Sequence, residues 1–303
     1  MLKKMILAIA LLGSFSCAKE NGNSNVNVLN GIKPSDGSYP LKTTIGIVDH
    51  RGFIYCTGIY IGKRHILTAA HCVDPIAYPK ICKGHLFWGK HGGHRDNYSI
   101  NFNGAKIIYH DKFIRRAEIP NDIALIVLEK EPPRQVRRGM LWWSKMVDLT
   151  EPAIIASKET VSDNDLLTHK DTPKLIAGYG KSTIFPFTND SGELLFDKVS
   201  ENEKYELTLS PDKKIIKSKN ALQGFNSGDS GGTFWIEKNG KNIVVGVHIK
   251  GANFGGSQTT LNTHTDLRYY RDWIESNGGI NLKTLKEKPA KYVDSKVVDC
   301  STP

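Results

Sequence analysis

Apolar residues in this chain come in short β-branched runs separated by turn residues. Ile45-Gly-Ile-Val48, Gly58-Ile-Tyr-Ile61, Ile123-Ala-Leu-Ile-Val-Leu128, Lys174-Leu-Ile-Ala177 and Asn242-Ile-Val-Val-Gly-Val247 each have the length and composition of a strand. Few windows between them sustain a 3.6-residue apolar period. The exception is Leu267 to Ser276, which Asn277-Gly278-Gly279 would stop. The pattern predicts an all-β barrel or sandwich domain over residues 28–275 with a helix at its C-terminal end. Residues 276–303 are Lys-rich and polar as far as Cys300, and are expected to lie over the surface as an extension. Residues 181–222 read as a long insertion holding a hairpin.

The N-terminus is patterned differently. Lys3 and Lys4 precede an apolar core, Met5 to Leu12, that gives way to small residues, which predicts a secretory signal over residues 1–17. Two cleavage readings stand. Ser16-Cys17-Ala18 suits ordinary signal peptidase. Ser14-Phe15-Ser16-Cys17 resembles a bacterial lipoprotein box, which would make Cys17 a lipid anchor, although the usual Leu three positions before the Cys is absent. Residues 18–27 are polar and Asn-rich, as in a leader or propeptide. The expected location is therefore exported, either secreted or in the cell envelope, with membrane attachment only through a lipidated Cys17.

Composition narrows the function classes. The chain has 303 residues, 39% hydrophobic and 24% charged, with no long apolar run beyond the signal, which excludes a polytopic membrane protein and a wholly disordered chain. The formal charge is +10, yet no Lys/Arg block of five or more occurs, so no nucleic-acid partner is expected. Export permits disulfides. With Cys17 set aside, Cys56, Cys72, Cys82 and Cys300 remain, an even set with three possible pairings. No Cys-x-x-Cys pair is present, and His91-Gly-Gly-His94 has no third ligand nearby, so neither a metal nor a cofactor is expected.

Three segments carry the chemistry: Cys56 to Cys72, containing Thr-Ala-Ala-His71-Cys72; Asn121-Asp122-Ile-Ala-Leu125; and Gly228-Asp229-Ser230-Gly231-Gly232. Each alone has a bland reading as a strand-end histidine, a turn or a glycine loop. Together they offer a nucleophile, a base and a carboxylate to orient the base, in the order His, Asp, Ser. They resemble the trypsin/chymotrypsin family of serine peptidases. The resemblance extends over roughly residues 28–275, through Val28-Leu-Asn-Gly31, Gly37-Ser-Tyr-Pro40, Ala177-Gly-Tyr-Gly180 and Tyr270-Arg-Asp-Trp-Ile274.

That resemblance implies two six-stranded antiparallel β-barrels with the active site between them and a C-terminal helix. It implies Ser230 as nucleophile, His71 as general base, Asp122 as its orienting carboxylate, and the backbone N–H groups of Gly228 and Ser230 as an oxyanion hole. It implies a Cys56–Cys72 bridge, which leaves Cys82 and Cys300 as the second pair. It also implies a zymogen in which an activating protease exposes the amine of Val28 to pair with Asp229. Asn27 is no trypsin-type cleavage site, and Asn30 replaces a Gly common in the motif.

The partner is then a protein or peptide substrate, cleaved by an endopeptidase. A catalytically silent binding module on the same fold is the alternative. Gly228-x-Ser-x-Gly232 also fits an α/β-hydrolase elbow, but the alternating helices that fold needs are missing. For specificity, Gly224 stands where an acidic residue draws Lys or Arg in trypsin-like members, and Asn226 where a pocket cysteine is usual. Ser227, His248 and His264 resemble the glutamate-specific bacterial members, and the strand through Gly251 would form a pocket wall. Phe234 and Lys250 depart from that branch. An acidic preference and a broad or hydrophobic one both remain open, and a trypsin-type one is disfavoured.

Overall fold

A computed structural model of the protein describes residues 32–90, 98–115, 120–138, 145–168, 173–180, 194–198, 206–221, 228–253 and 259–301. Cys17, Val28, His91, His94, Gly224, Asn226 and Ser227 lie outside the described residues, as does half of the 181–222 segment.

Two sheets organise the chain, in keeping with the all-β reading of its strand pattern. The first is antiparallel throughout and runs, in spatial order, Ser295–Asp299, Lys106–His110, Ala124–Val127, His65–Thr68, Ile54–Gly62, Thr44–Val48, His85–Trp88 and Tyr98–Asn101. The second runs Leu195–Lys198, Lys174–Gly178, Thr233–Lys238, Lys241–Asn253, Thr259–Asp266, Ile215–Ala221 and Glu206–Leu209. The short strand Ile154–Ile155 joins it in parallel with Lys241–Asn253. Among the described residues each sheet has eight strands, the first counting Ser295–Asp299 and the second Ile154–Ile155. The hairpin foreseen within 181–222 is present as Glu206–Leu209 paired with Ile215–Ala221.

The second sheet is apolar on both faces, and strand alternation explains how. Ile236, Ile243 and Val245 bury into a cluster within that sheet, whereas Trp235, Val244 and Val247 face a larger cluster shared with the first sheet. The run Ile-Val-Val at 243–245 therefore serves two cores at once. At roughly 1.5–3 kcal/mol for each large side chain removed from water, this shared layer is a main source of cohesion between the sheets.

The C-terminal helix forms later than its periodicity suggests. Leu267–Tyr269 is a 3-10 turn, and the α-helix spans Arg271–Gly278. Asp266 sets this break: its carboxylate accepts from Arg268 N at 3.1 Å and from the Arg268 guanidinium at 2.6 Å. Gly279 ends the helix at φ 64, where a Cβ would sit 2.4 Å from Lys288 O.

The extension departs from expectation. Instead of only covering the surface, it returns as strand Ser295–Asp299 on the edge of the first sheet, paired with Lys106–His110. Trp273 Nε1 donates to Asp294 O at 3.0 Å and Asn277 Nδ2 to Val293 O at 2.9 Å, fastening it to the helix. Cys82–Cys300 closes it, and Cys56–Cys72 is the other bridge. The alternation signal was weak because both faces of this edge strand keep substantial exposure.

Candidate active site

His71 lies on the 3-10 turn Ala70–Cys72, directly after strand His65–Thr68. Asp122 precedes strand Ala124–Val127, and Thr68 opposes Ala124 in the pairing of those two strands. The register alone therefore brings the two side chains to the same end of the sheet. Asn121 takes φ 85, and its Oδ1 accepts from Tyr270 OH at 3.0 Å, which turns the chain into Asp122. Asp122 Oδ1 accepts from His71 N at 3.0 Å and Oδ2 from His71 Nδ1 at 2.7 Å. An ionised carboxylate only accepts, so Nδ1 is the donor in this bond. The second sheet contributes as well, because Thr265 Oγ1 donates to Asp122 O at 2.9 Å.

Ser230 sits in a turn held by both sheets. Gly228 and Gly231 have φ of +102 and +85, conformations that L side chains rarely adopt. At Gly231 a Cβ would also fall 2.0 Å from Thr57 O, so glycine is required by space as well as by dihedral angle. From the first sheet, Thr57 N donates to Ser230 O at 2.7 Å. From the second, Gly231 N donates to His248 O at 2.7 Å, and His248 N donates to Gly232 O at 2.9 Å. Cys72 Sγ lies 3.5 Å from Ser230 O, which puts the residue after His71 against the serine turn. Ser230 and His71 are both partly exposed, while Asp122 is 13% exposed at its side chain.

Asp229 is fully buried, its Oδ1 accepting from Gly180 N at 2.6 Å. A Cβ on Gly178 or Gly180 would approach its carboxylate oxygens to 2.2 or 2.4 Å. The two glycines of Ala177-Gly-Tyr-Gly180 therefore make room for this carboxylate. The sequence shows them only as part of a familiar-looking strand.

His248 and His264 face each other across paired strands, with ring centroids 5.3 Å apart. Phe234 stacks on His264 at 4.8 Å, and Ser218 Oγ lies 3.3 Å from His264 Nε2. Burial pushes the pKa of His264 down to about 3. Burial, then the neighbouring His264 and His71, holds His248 well below the ordinary imidazole range. Both rings are neutral at neutral pH. Gly251, three residues on, is exposed on the same strand. Cys56, His71 and Cys72 also gather closely, but the two sulfurs are bonded to each other and offer no thiolate to a metal.

Sequence reasoning passed over Thr57, Thr68 and Tyr179, which support the serine turn. Thr68 Oγ1 donates to Thr57 O at 2.7 Å, and Tyr179 N donates to Thr57 Oγ1 at 3.0 Å. A buried hydroxyl on the inward face of a strand was the available signal, but it is shared with many ordinary strand threonines.

Comparison with known proteins identifies the family. The family model described as Trypsin matches residues 28–274. Complement factor I of Rattus norvegicus is 35% identical over 131 residues, covering 42% of this chain and 20% of that protein. Complement factor I of Mus musculus is 29% identical over 287 residues, covering 90% of this chain and 43% of that protein. Chymotrypsin of Phaedon cochleariae is 23% identical over 226 residues, covering 73% of this chain and 71% of that protein. The chain thus spans less than half the length of the complement factor I proteins it matches.

Proposed function

The chain belongs to the trypsin family, and from that premise we propose that it is an exported serine endopeptidase working through an acyl-enzyme. Ser230 Oγ attacks the scissile carbonyl carbon while His71 Nε2 takes the hydroxyl proton. The carbonyl oxygen becomes an oxyanion held by the N–H groups of Gly228 and Ser230. His71 then gives the proton to the leaving amine as the C–N bond breaks, and a water repeats the sequence on the acyl-enzyme. Asp122 keeps Nδ1 protonated and stabilises the imidazolium. The observation that carries this reading is the 2.7 Å contact of His71 Nδ1 with Asp122 Oδ2 beside the serine turn.

Activation belongs to the same proposal. Cleavage after Asn27 by a separate protease would free the Val28 amine for Asp229, whose complete burial favours a charged partner. Residues 18–27 serve as the propeptide, 28–275 as the peptidase domain and 276–303 as its extension. Attachment to a membrane would run through Cys17 alone. Among the described residues no helix is long and apolar enough to cross a membrane.

For specificity, the buried His248–His264 pair favours Glu or Asp at the residue preceding the cut. A neutral imidazole can donate an N–H to a substrate carboxylate, and the arriving negative charge would raise its pKa toward protonation. Lys250, exposed on the same strand, adds positive charge. The test is a peptide library varied at that residue, cleaved by protein whose N-terminus is confirmed as Val28. The proposal expects cleavage after Glu or Asp that is lost in His248→Ala. Cleavage after other residues keeps the peptidase and discards the histidine pocket. No cleavage with Val28 free would favour the silent binding module.

A further inference from the structure

Thr57 lies on strand Ile54–Gly62 of the first sheet, fully buried, and every polar atom it has is engaged. Its N–H donates to Ser230 O at 2.7 Å and its carbonyl accepts from Thr68 Oγ1 at 2.7 Å. Its hydroxyl donates to Gly228 O at 2.9 Å and accepts from Tyr179 N at 3.0 Å. A hydroxyl has one proton to give, and Gly228 O receives it. One side chain of the first sheet thus ties together the serine turn and the Ala177–Gly180 segment that cradles Asp229.

The consequence follows from peptide planarity. The Ser230 N–H belongs to the peptide joining Asp229 to Ser230. Thr57 fixes the peptide planes on either side of it, one through Gly228 O and the other through Ser230 O. The plane between them is fixed by Gly232 N, which donates to Asp229 O at 2.8 Å inside the turn. In a trans peptide the N–H points opposite to the carbonyl, so the Ser230 N–H is directed outward from the turn. We propose that the Thr57 hydroxyl is a positioning group that presets the Gly228–Ser230 backbone to stabilise the oxyanion, coupling the sheet that carries His71 and Asp122 to the turn that carries Ser230. This rests on the serine-peptidase reading above.

The test uses purified exported protein with its mature N-terminus established, and compares wild type, Thr57→Val and Thr57→Ser. Rates are normalised by titration of reactive serine with a fluorophosphonate. The hydroxyl acts on a hydrogen-bond donor array whose single members are worth about 100- to 1000-fold. The expected loss for the isosteric Val variant is therefore smaller, about 10- to 100-fold in kcat with KM within about twofold. Affinity for a peptide boronic acid, whose tetrahedral adduct places an oxygen where the oxyanion forms, should fall by the same factor. Thr57→Ser should restore both. If the Val variant does not fold, Thr57→Ala is measured in the same way with the same expectation. A labelled wild type and a Val or Ala variant of equal kcat per titrated site overturn the role of Thr57 alone. So does a loss of folded protein with kcat per site unchanged, or an equal loss in Thr57→Ser. A wild type that neither hydrolyses peptides nor labels at Ser230 overturns the peptidase reading, and this proposal with it.

Discussion

Two histidine sites, His71 beside the first sheet and the His248–His264 pair in the second, are held in opposite ways. In the first, His71 keeps 27% of its side chain in solvent and shares a 2.7 Å bond with a carboxylate. In the second, His248 and His264 are sealed in, and the groups that act on their protonation are burial and other imidazoles. The first environment sets a carboxylate beside the ring, while in the second burial disfavours the charged imidazole. Covalent constraint divides in the same way. Cys56–Cys72 joins the His71 turn to its neighbouring strand, and Cys82–Cys300 clips the extension to that same sheet. Among the described residues the second sheet has no disulfide, and the serine turn relies on glycine geometry and hydrogen bonds from both sides.

If the division is sound, the largest effect comes from removing the group the second sheet delivers. Ser230→Ala should lower kcat by about 10⁶-fold while leaving the melting temperature unchanged, as read by peptide hydrolysis and calorimetry. Next is the carboxylate that the first sheet sets beside His71. Asp122→Asn should cost about 10⁴-fold, because the amide can donate to Nδ1 and stabilise the unproductive tautomer. Restoring Asp122 should restore the rate.

Gly231→Ala tests the seam. Its Cβ would strike Thr57 O, a backbone atom with little freedom to move, in a dihedral region unfavourable to alanine. A loss of about 3 kcal/mol or more in denaturant unfolding is expected, together with loss of hydrolysis. A tolerated alanine would mean that the seam yields more readily than its close contacts suggest.

The seam also marks where sequence reading stopped. The strands, the His–Asp–Ser order and the closing helix are legible because each has a local signature: β-branched runs, short motifs, and a Gly-Gly stop. The Cys82–Cys300 pair could be inferred once the other bridge was assumed. The bonds of Thr57 to Gly228 and Ser230 are not legible in this way, since they join residues far apart in the chain through a hydroxyl common in strands. The return of Ser295–Asp299 to the first sheet is hidden for a related reason. An edge strand with one neighbour has little alternation, and its pairing is set by the partner Lys106–His110 and the distant Cys82.

Two smaller effects sharpen the contrast between the sheets. Replacing Cys82 and Cys300 together by Ser should lower stability by roughly 2–5 kcal/mol, because a long loop is no longer closed in the unfolded chain. The kcat should stay within about twofold, since the clip lies on the extension and not beside His71. A large fall in kcat would show that the extension supports catalysis directly. The last effect is the acid limb of stability. Burial holds the folded pKa of His264 at about 3, below its ordinary 6.5. Between those values the unfolded chain binds the extra proton, so this contribution is fully present above about pH 6.5 and is lost as pH falls toward 3. His264→Phe, which keeps a ring against Phe234, should therefore shift the acid-unfolding midpoint downward, by about half a pH unit. An unchanged midpoint would mean that other groups set the acid limit.

The most direct measurement is covalent. Mature protein is treated with a sulfonyl fluoride, and the adduct is mapped by mass spectrometry in wild type, His71→Ala and acid-unfolded samples. One adduct on Ser230, formed only in the folded wild type and accompanied by loss of peptide hydrolysis, is the predicted result. An adduct on another residue with hydrolysis lost, or full hydrolysis with Ser230 replaced by Ala, would contradict the assignment of Ser230, His71 and Asp122 as the catalytic set.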